Sequence, residues 1–199
     1  MIEAIIFDFG GVCLLDADPM DDIASSFKAD RDTVLKNFEG LLEDYQKGKI
    51  SDQNLWLSFS QRMGKDLPEG YETLWTRQYA LKTRINTEVV SVAMRLKQKG
   101  YRLGILSNTI PPHAKFNKEK NFFQGFDEVI LSCEVGLRKP EKEIYMLAAR
   151  ALRVEPCSCV YIDDREEYLL PAKQLGMKTI HYQNTKNLVF QLKGAGVNL

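Results

Sequence analysis

Residues 4–9 form a short run, apolar apart from Asp8 and closed by Gly10-Gly11, the pattern of a buried strand that ends in a turn. From residue 16 to residue 83 the apolar spacing becomes helical and shows no strand. Pro19 is placed to open one helix. Asp30 is placed to cap the next, whose apolar positions Val34, Phe38, Leu41, Leu42 and Tyr45 run to a stop near Gly48. Ser51 caps a third helix, with Leu55, Trp56 and Phe59 on one face. Pro68 begins a fourth, carrying Tyr71, Leu74, Trp75 and Tyr79. Aromatic stripes at this spacing read as packing rather than as a binding surface.

Beyond residue 84 the two periodicities alternate. A helix over 87–99 ends at Gly100, and a strand follows over 101–106. Pro111-Pro112 opens a short helix before a strand over 128–131. Helix 141–152, strand 159–162, helix 166–175 closed by Gly176, strand 177–182 and a terminal helix complete the chain. Such alternation predicts an α/β fold, a parallel sheet with helices on both faces. The early helical block interrupts it. The expected division is therefore a core of residues 1–15 and 84–199 and an inserted helical cap of residues 16–83. Ligands of such sheets bind beyond the carboxyl ends of the strands, so a functional motif is expected at a strand's end.

Composition narrows the partners more than the fold. At 199 residues the chain can bury a core without disulfides or a structural metal. Lys plus Arg is 27 and Asp plus Glu is 27, so no net positive charge marks a general nucleic-acid binder. A small molecule or a protein is the expected partner. No apolar stretch approaches the ~20 residues that span a bilayer. The amino terminus lacks a basic region and its apolar run is cut at Asp8, unlike a signal peptide. Cys13, Cys133, Cys157 and Cys159 are few and scattered, which fits reduced thiols in a cytoplasmic protein. Cys157-Ser158-Cys159 has no second ligand pair at zinc-site spacing. Repeats are absent, and no pattern marks an oligomeric state.

Four motifs fall where strands are expected to end or a helix to begin. Asp8 closes the first strand, and Ser107-Asn108-Thr109 follows Gly104-Ile105-Leu106. Lys139 lies in Gly136-Leu137-Arg138-Lys139-Pro140, and Asp163-Asp164 follows Val160-Tyr161-Ile162. Phosphoryl transfer needs an in-line nucleophile, donors and cations around the phosphoryl oxygens, and usually magnesium. The Asp8 carboxylate can attack phosphorus to form an aspartyl phosphate. Ser107 can hydrogen-bond phosphoryl oxygens, Lys139 can neutralise charge, and Asp163-Asp164 offers hard oxygens to Mg2+.

In this order the motifs resemble those of the haloacid dehalogenase-like (HAD) hydrolase superfamily, specifically subfamily IA, with its small helical cap after the first strand. The resemblance covers essentially the whole chain. It implies a Rossmann-like core, Asp8 as nucleophile, Ser107 as phosphate ligand with Asn108 beside it, and Lys139 as catalytic cation. It also implies a magnesium site made by Asp8, the Gly10 carbonyl, Asp163 and Asp164. Two positions depart from the family pattern. Gly10 stands where phosphatases of the superfamily carry an Asp that acts as general acid and base, a function worth roughly 10²–10⁴-fold. Tyr168 stands where an Asn is usual, a change expected to act on the orientation of Asp164.

The opening Asp-x-Gly-Gly-Val, Gly48-Lys49-Ile50-Ser51 and the spacing of His113 after Ser107 resemble a branch that includes α-glucose-1-phosphate phosphatases. Easily departing groups need little acid assistance, which suits Gly10. Asp16, Asp18 and His113 are alternative proton donors. For Asp16 and Asp18 a hinge or helix-capping role is the expectation, and for His113 a solvent-exposed first helical turn. The leading reading is a magnesium-dependent phosphatase of small phosphorylated metabolites, sugar phosphates among them. Two others stay open: a 2-haloacid dehalogenase, whose halide needs no proton, and a catalytically silent binding module on the same fold.

Overall fold

The computed structural model describes residues 1–15 and 18–199. After β1 (Ala4–Phe7) and the two-residue strand β2 (Leu14–Leu15) come five helices: α1 (Met20–Ser26), α2 (Arg31–Phe38), α3 (Leu41–Gln46), α4 (Asp52–Met63) and α5 (Leu74–Lys82). A second two-residue strand, β3 (Arg84–Ile85), pairs antiparallel with β2 where the chain returns. Then follow α6 (Thr87–Gln98), β4 (Arg102–Ser107), α7 (Pro111–Glu119), β5 (Glu128–Leu131), α8 (Ser132–Val135) and α9 (Lys142–Ala151). The chain ends with β6 (Cys159–Asp163), α10 (Glu166–Gln174), β7 (Lys178–His181) and α11 (Thr185–Gly194).

The expected parallel sheet is present. Its order is β5-β4-β1-β6-β7, with every neighbouring pair parallel. Alternate residues of each central strand enter different layers, as the two-residue strand period requires. Ile5 and Phe7 of β1 and Val160 and Ile162 of β6 pack with Val89, Val92 and Leu96 of α6 and Leu188 and Leu192 of α11. Ala4, Ile6, Cys159 and Tyr161 pack on the other face with Ile144, Tyr145 and Ala148 of α9 and Ala172 of α10. Burial on both faces explains why β1 and β6 read as continuous apolar runs. Each large side chain so buried contributes roughly 1.5–3 kcal/mol.

The helical segment between β2 and β3 has a core of its own. Ile23, Phe27, Val34, Phe38, Tyr45, Trp56, Phe59 and Trp75 are buried together. Phe27 meets Phe59 edge-on at 5.0 Å, and Trp56 lies 5.3 Å from Trp75. These geometries suit aromatic quadrupoles, so the stripes do serve packing. The caps are as expected: Asp30 accepts from the Thr33 N–H at 2.8 Å and Ser51 from the Asn54 N–H at 3.2 Å. Pro19 stands directly before α1.

Three local expectations are corrected. The single helix expected from Asp30 to Gly48 is two, α2 and α3, because Gly40 takes φ 74°, a left-handed value that ends a helical run. Pro68 does not begin a regular helix. A 3₁₀ turn over Tyr71–Thr73 intervenes, and α5 starts at Leu74. The β2–β3 pair and the one-turn α8 were not expected, since two to four residues carry too little periodicity to register.

Candidate active site

β4 and β6 flank β1, so the carboxyl ends of these three strands lie side by side. Asp8 directly follows β1, and its N–H extends the ladder by donating to the Ile162 carbonyl at 2.8 Å. Its Oδ1 also accepts from the Phe9 N–H at 2.6 Å, which fixes the carboxylate against the turn. Asp163 is the last residue of β6, Ser107 the last of β4.

Lys139 arrives from the loop between α8 and α9 and is only 1% exposed. Its Nζ stands 2.8 Å from Asp8 Oδ1 and 2.7 Å from Asp163 Oδ2. The ammonium also lies 4.9 Å from the centre of the Tyr168 ring and 5.8 Å from that of Tyr161. Burial pulls the lysine pKa down, but Asp8 and Asp163 outweigh it and hold the group above its ordinary value. It is cationic at neutral pH.

Asn108 braces this lysine. Its Nδ2 donates to the Lys139 carbonyl at 2.9 Å, and its Oδ1 accepts from the Lys139 N–H at 2.8 Å. Asp163 is equally committed. Its Oδ2 also accepts from the Tyr161 hydroxyl, and its Oδ1 from the Arg165 N–H at 2.9 Å. The hydroxyl of Ser107, by contrast, borders the cavity with no protein partner among the described residues.

Oxygens of Asp8, Asp163 and Asp164 all lie within 4.8 Å of one another. Gly11 allows this approach. It takes φ 76°, and a Cβ there would overlap the Asp164 carboxylate. Burial drives Asp8 up to about 7, and Asp163 and Asp164 push the same way against Lys139. Three carboxylates facing one ammonium leave an excess of negative charge on hard oxygens, which suits a divalent cation.

Two cavities meet here. The inner one, about 220 Å³, is lined by Asp8, Lys139, Asp164 and Tyr168 among others. The outer one, about 350 Å³, runs between the sheet and the helical segment, with Phe9, Leu14, Leu42, Trp75 and Tyr79 in its wall.

A model of the haloacid dehalogenase-like hydrolases matches residues 2–176. The chain belongs to that family. It is 30% identical over 218 aligned residues to bifunctional epoxide hydrolase 2 of Mus musculus, an alignment covering 96% of this chain and 38% of that protein. The chain thus spans well under half the length of that relative. It is 26% identical to the D-ribitol-5-phosphate phosphatase of Bacteroides thetaiotaomicron, over 92% of this chain and 93% of that one. A HAD-family enzyme of the same bacterium, solved with magnesium and inorganic phosphate, shares the fold at TM-score 0.73 and 22% identity, covering 92% of this chain and 95% of that one. An L-2-haloacid dehalogenase does so at TM-score 0.65 and 22% identity, covering 89% and 85%.

The structure brings Asp8, Gly10, Ser107, Asn108, Lys139 and Asp164 around the inner cavity, with Asp163 behind the lysine. Other expectations fare differently. Asp16 lies outside the described residues. Asp18, expected in a hinge or helix-capping role, accepts from the N–H of Met20, the first residue of α1, at 2.9 Å and pairs with Arg31, while Pro19 holds the N-cap position itself. His113 is not in solvent: its ring stacks on Tyr79 at 3.7 Å and its Nε2 meets the Trp75 carbonyl at 2.6 Å. Burial lowers its pKa to about 4, so the ring is neutral at pH 7. The ring of Tyr168, the position expected to act on Asp164, lies against Lys139 and Arg165 and lines the inner cavity together with Asp164.

Gln46 and Arg165, which border both cavities, escaped the sequence reading, as did the bond from Tyr161 to Asp163. Arg165 had a signal in its place beside Asp164. Gln46 had none, because it comes from the inserted helices.

Proposed function

We propose that this chain is a magnesium-dependent phosphatase of small phosphorylated metabolites, sugar phosphates among them, working through an aspartyl phosphate on Asp8. The observation that carries the reading is the buried Asp8–Lys139–Asp163 cluster at the strand ends, with Asp164 and the unpartnered Ser107 hydroxyl at the same cavity. The phosphatase relatives support it, the ribitol-phosphate enzyme being similar over nearly its whole length.

Asp8, Asp163 and Asp164, with the Gly10 carbonyl, are the residues assigned to hold Mg2+, and Asp163 also positions Lys139. When bound, the ion screens phosphoryl charge and keeps Asp8 ionised. Lys139 and Ser107 hold the phosphoryl oxygens. An Asp8 oxygen attacks phosphorus in line, the bond to the bridging oxygen breaks, and the electron pair leaves with the alcohol. Water then attacks phosphorus, frees phosphate and regenerates Asp8. Residues 16–83 act as the cap that covers this chemistry.

The test is an assay with an aryl phosphate and a panel of sugar phosphates, with and without magnesium. Phosphate release that a chelator abolishes is expected. Metal-independent halide release from a 2-haloacid, with no phosphate release, overturns the reading.

A further inference from the structure

The inner and outer cavities share Gly10, Gln46, Ser107, Asn108 and Arg165, which together form the neck between them. With a phosphoryl group at Asp8, the organic part of an ester lies in the outer cavity and its bridging oxygen crosses this neck. Among the described residues, none at the neck can give up a proton near neutral pH. Gly10 has no side chain, Ser107, Asn108 and Gln46 do not titrate in this range, and an arginine stays protonated. His113 and Asp18 border only the outer cavity. What the described neck residues offer a departing oxygen is therefore a hydrogen bond rather than a proton.

Gln46 is oriented to make that bond. Its Oε1 accepts from Arg138 Nε at 3.1 Å, and Arg138 is itself held by Glu43 at 2.9 Å. Arginine carries no acceptor, so the amide oxygen must face Arg138 and Nε2 must face away from it. Arg138 borders neither cavity, whereas Gln46 borders both. The Nε2–H groups have no protein acceptor among the described residues. Arg138 also directly precedes Lys139, so one loop fixes both the ammonium at the phosphoryl group and the amide at the neck.

We propose that Gln46 donates a hydrogen bond to the leaving-group oxygen of the phosphate ester, with Arg138 as its positioning residue. The proposal rests on the phosphatase reading. As the bond from phosphorus to the bridging oxygen breaks, the electron pair moves onto that oxygen. The Gln46 N–H stabilises the growing charge without transferring its proton, and water supplies the proton that completes the alcohol.

The test measures first-turnover rates, with magnesium, for phenyl phosphates of rising leaving-group pKa and one primary alkyl phosphate. Gln46→Met removes the donor at similar volume, and Gln46→Ala serves as a second variant. The expected loss is within about 3-fold for a nitrophenyl phosphate and grows to about 10²-fold for the alkyl ester, in line with single oxyanion donors. Arg138→Met steepens the same dependence to a smaller degree. A uniform loss across the series, or no loss, in variants with unchanged circular dichroism overturns the proposal. A parent chain that hydrolyses the series as fast as its Asp8→Asn variant overturns the phosphatase reading, and the proposal with it.

Discussion

Lys139 forms both of its ion pairs at 1% exposure, with Asp163 fully buried, whereas Arg31 in the helical insert meets Asp18 and Asp21 at 40% exposure or more. Lys139, Asp8 and Asp163 have lost nearly all their water and depend on one another. In the insert the Arg31 pairs keep much of their water, and the neighbouring helices hold through aromatic packing instead. Removing one member of a buried set strands the remainder in low dielectric, while removing one member of an exposed pair leaves the other solvated. The same residue types therefore serve chemistry in one region and little more than solubility in the other.

Asp8→Asn is the hardest strike at the sheet end. It removes the nucleophilic charge at constant shape, and phosphate release should fall by at least about 10³-fold with the fold intact by circular dichroism. Lys139→Met leaves Asp8 and Asp163 facing each other without a cation. Denaturant titration should register a loss of about 3–5 kcal/mol, along with lost activity.

His113 joins the two regions, because its ring is clamped between α7 and the Trp75–Tyr79 turn of α5. Its pKa falls from 6.5 in the unfolded chain to about 4. Above pH 6.5 both states are neutral. As the pH drops, the unfolded chain takes up the proton first, so stability is lost until the folded ring also protonates near pH 4. The parent chain should lose about 2–3 kcal/mol relative to His113→Gln between pH 6.5 and 4. Parallel stability curves for the two proteins would show that the clamp carries no such cost. Arg31→Ala should be the mildest, changing the unfolding free energy by less than about 1 kcal/mol. A loss as large as that of Lys139→Met would erase the contrast between the regions.

The same contrast explains what could be read from the chain. Asp8, Ser107 and Asp163-Asp164 stand at strand ends, where a short apolar run followed by a polar residue marks the position in sequence, and Lys139 stands just before a helix. The sheet and its helices were legible for the same reason. Gln46 and His113 act across the boundary between insert and core. Their roles follow from how α3 and α5 dock, which no local spacing records. Tyr168 is intermediate: its departure from the family pattern was visible, but its place against Lys139 needed the fold. At Gly10, φ is not left-handed and a Cβ would meet nothing within 4 Å among the described residues. The open neck therefore results from the missing side chain, and not from a backbone that excludes one.

The proposed mechanism requires covalent capture of the phosphoryl group by Asp8. The direct measurement is rapid acid quenching of the chain during turnover of an aryl phosphate with magnesium, followed by mass analysis of its peptides. A hydroxylamine-sensitive phosphoryl group on the peptide that contains Asp8 is the predicted result. Phosphate release with that peptide unmodified throughout, or with the phosphoryl group on another residue, would contradict it.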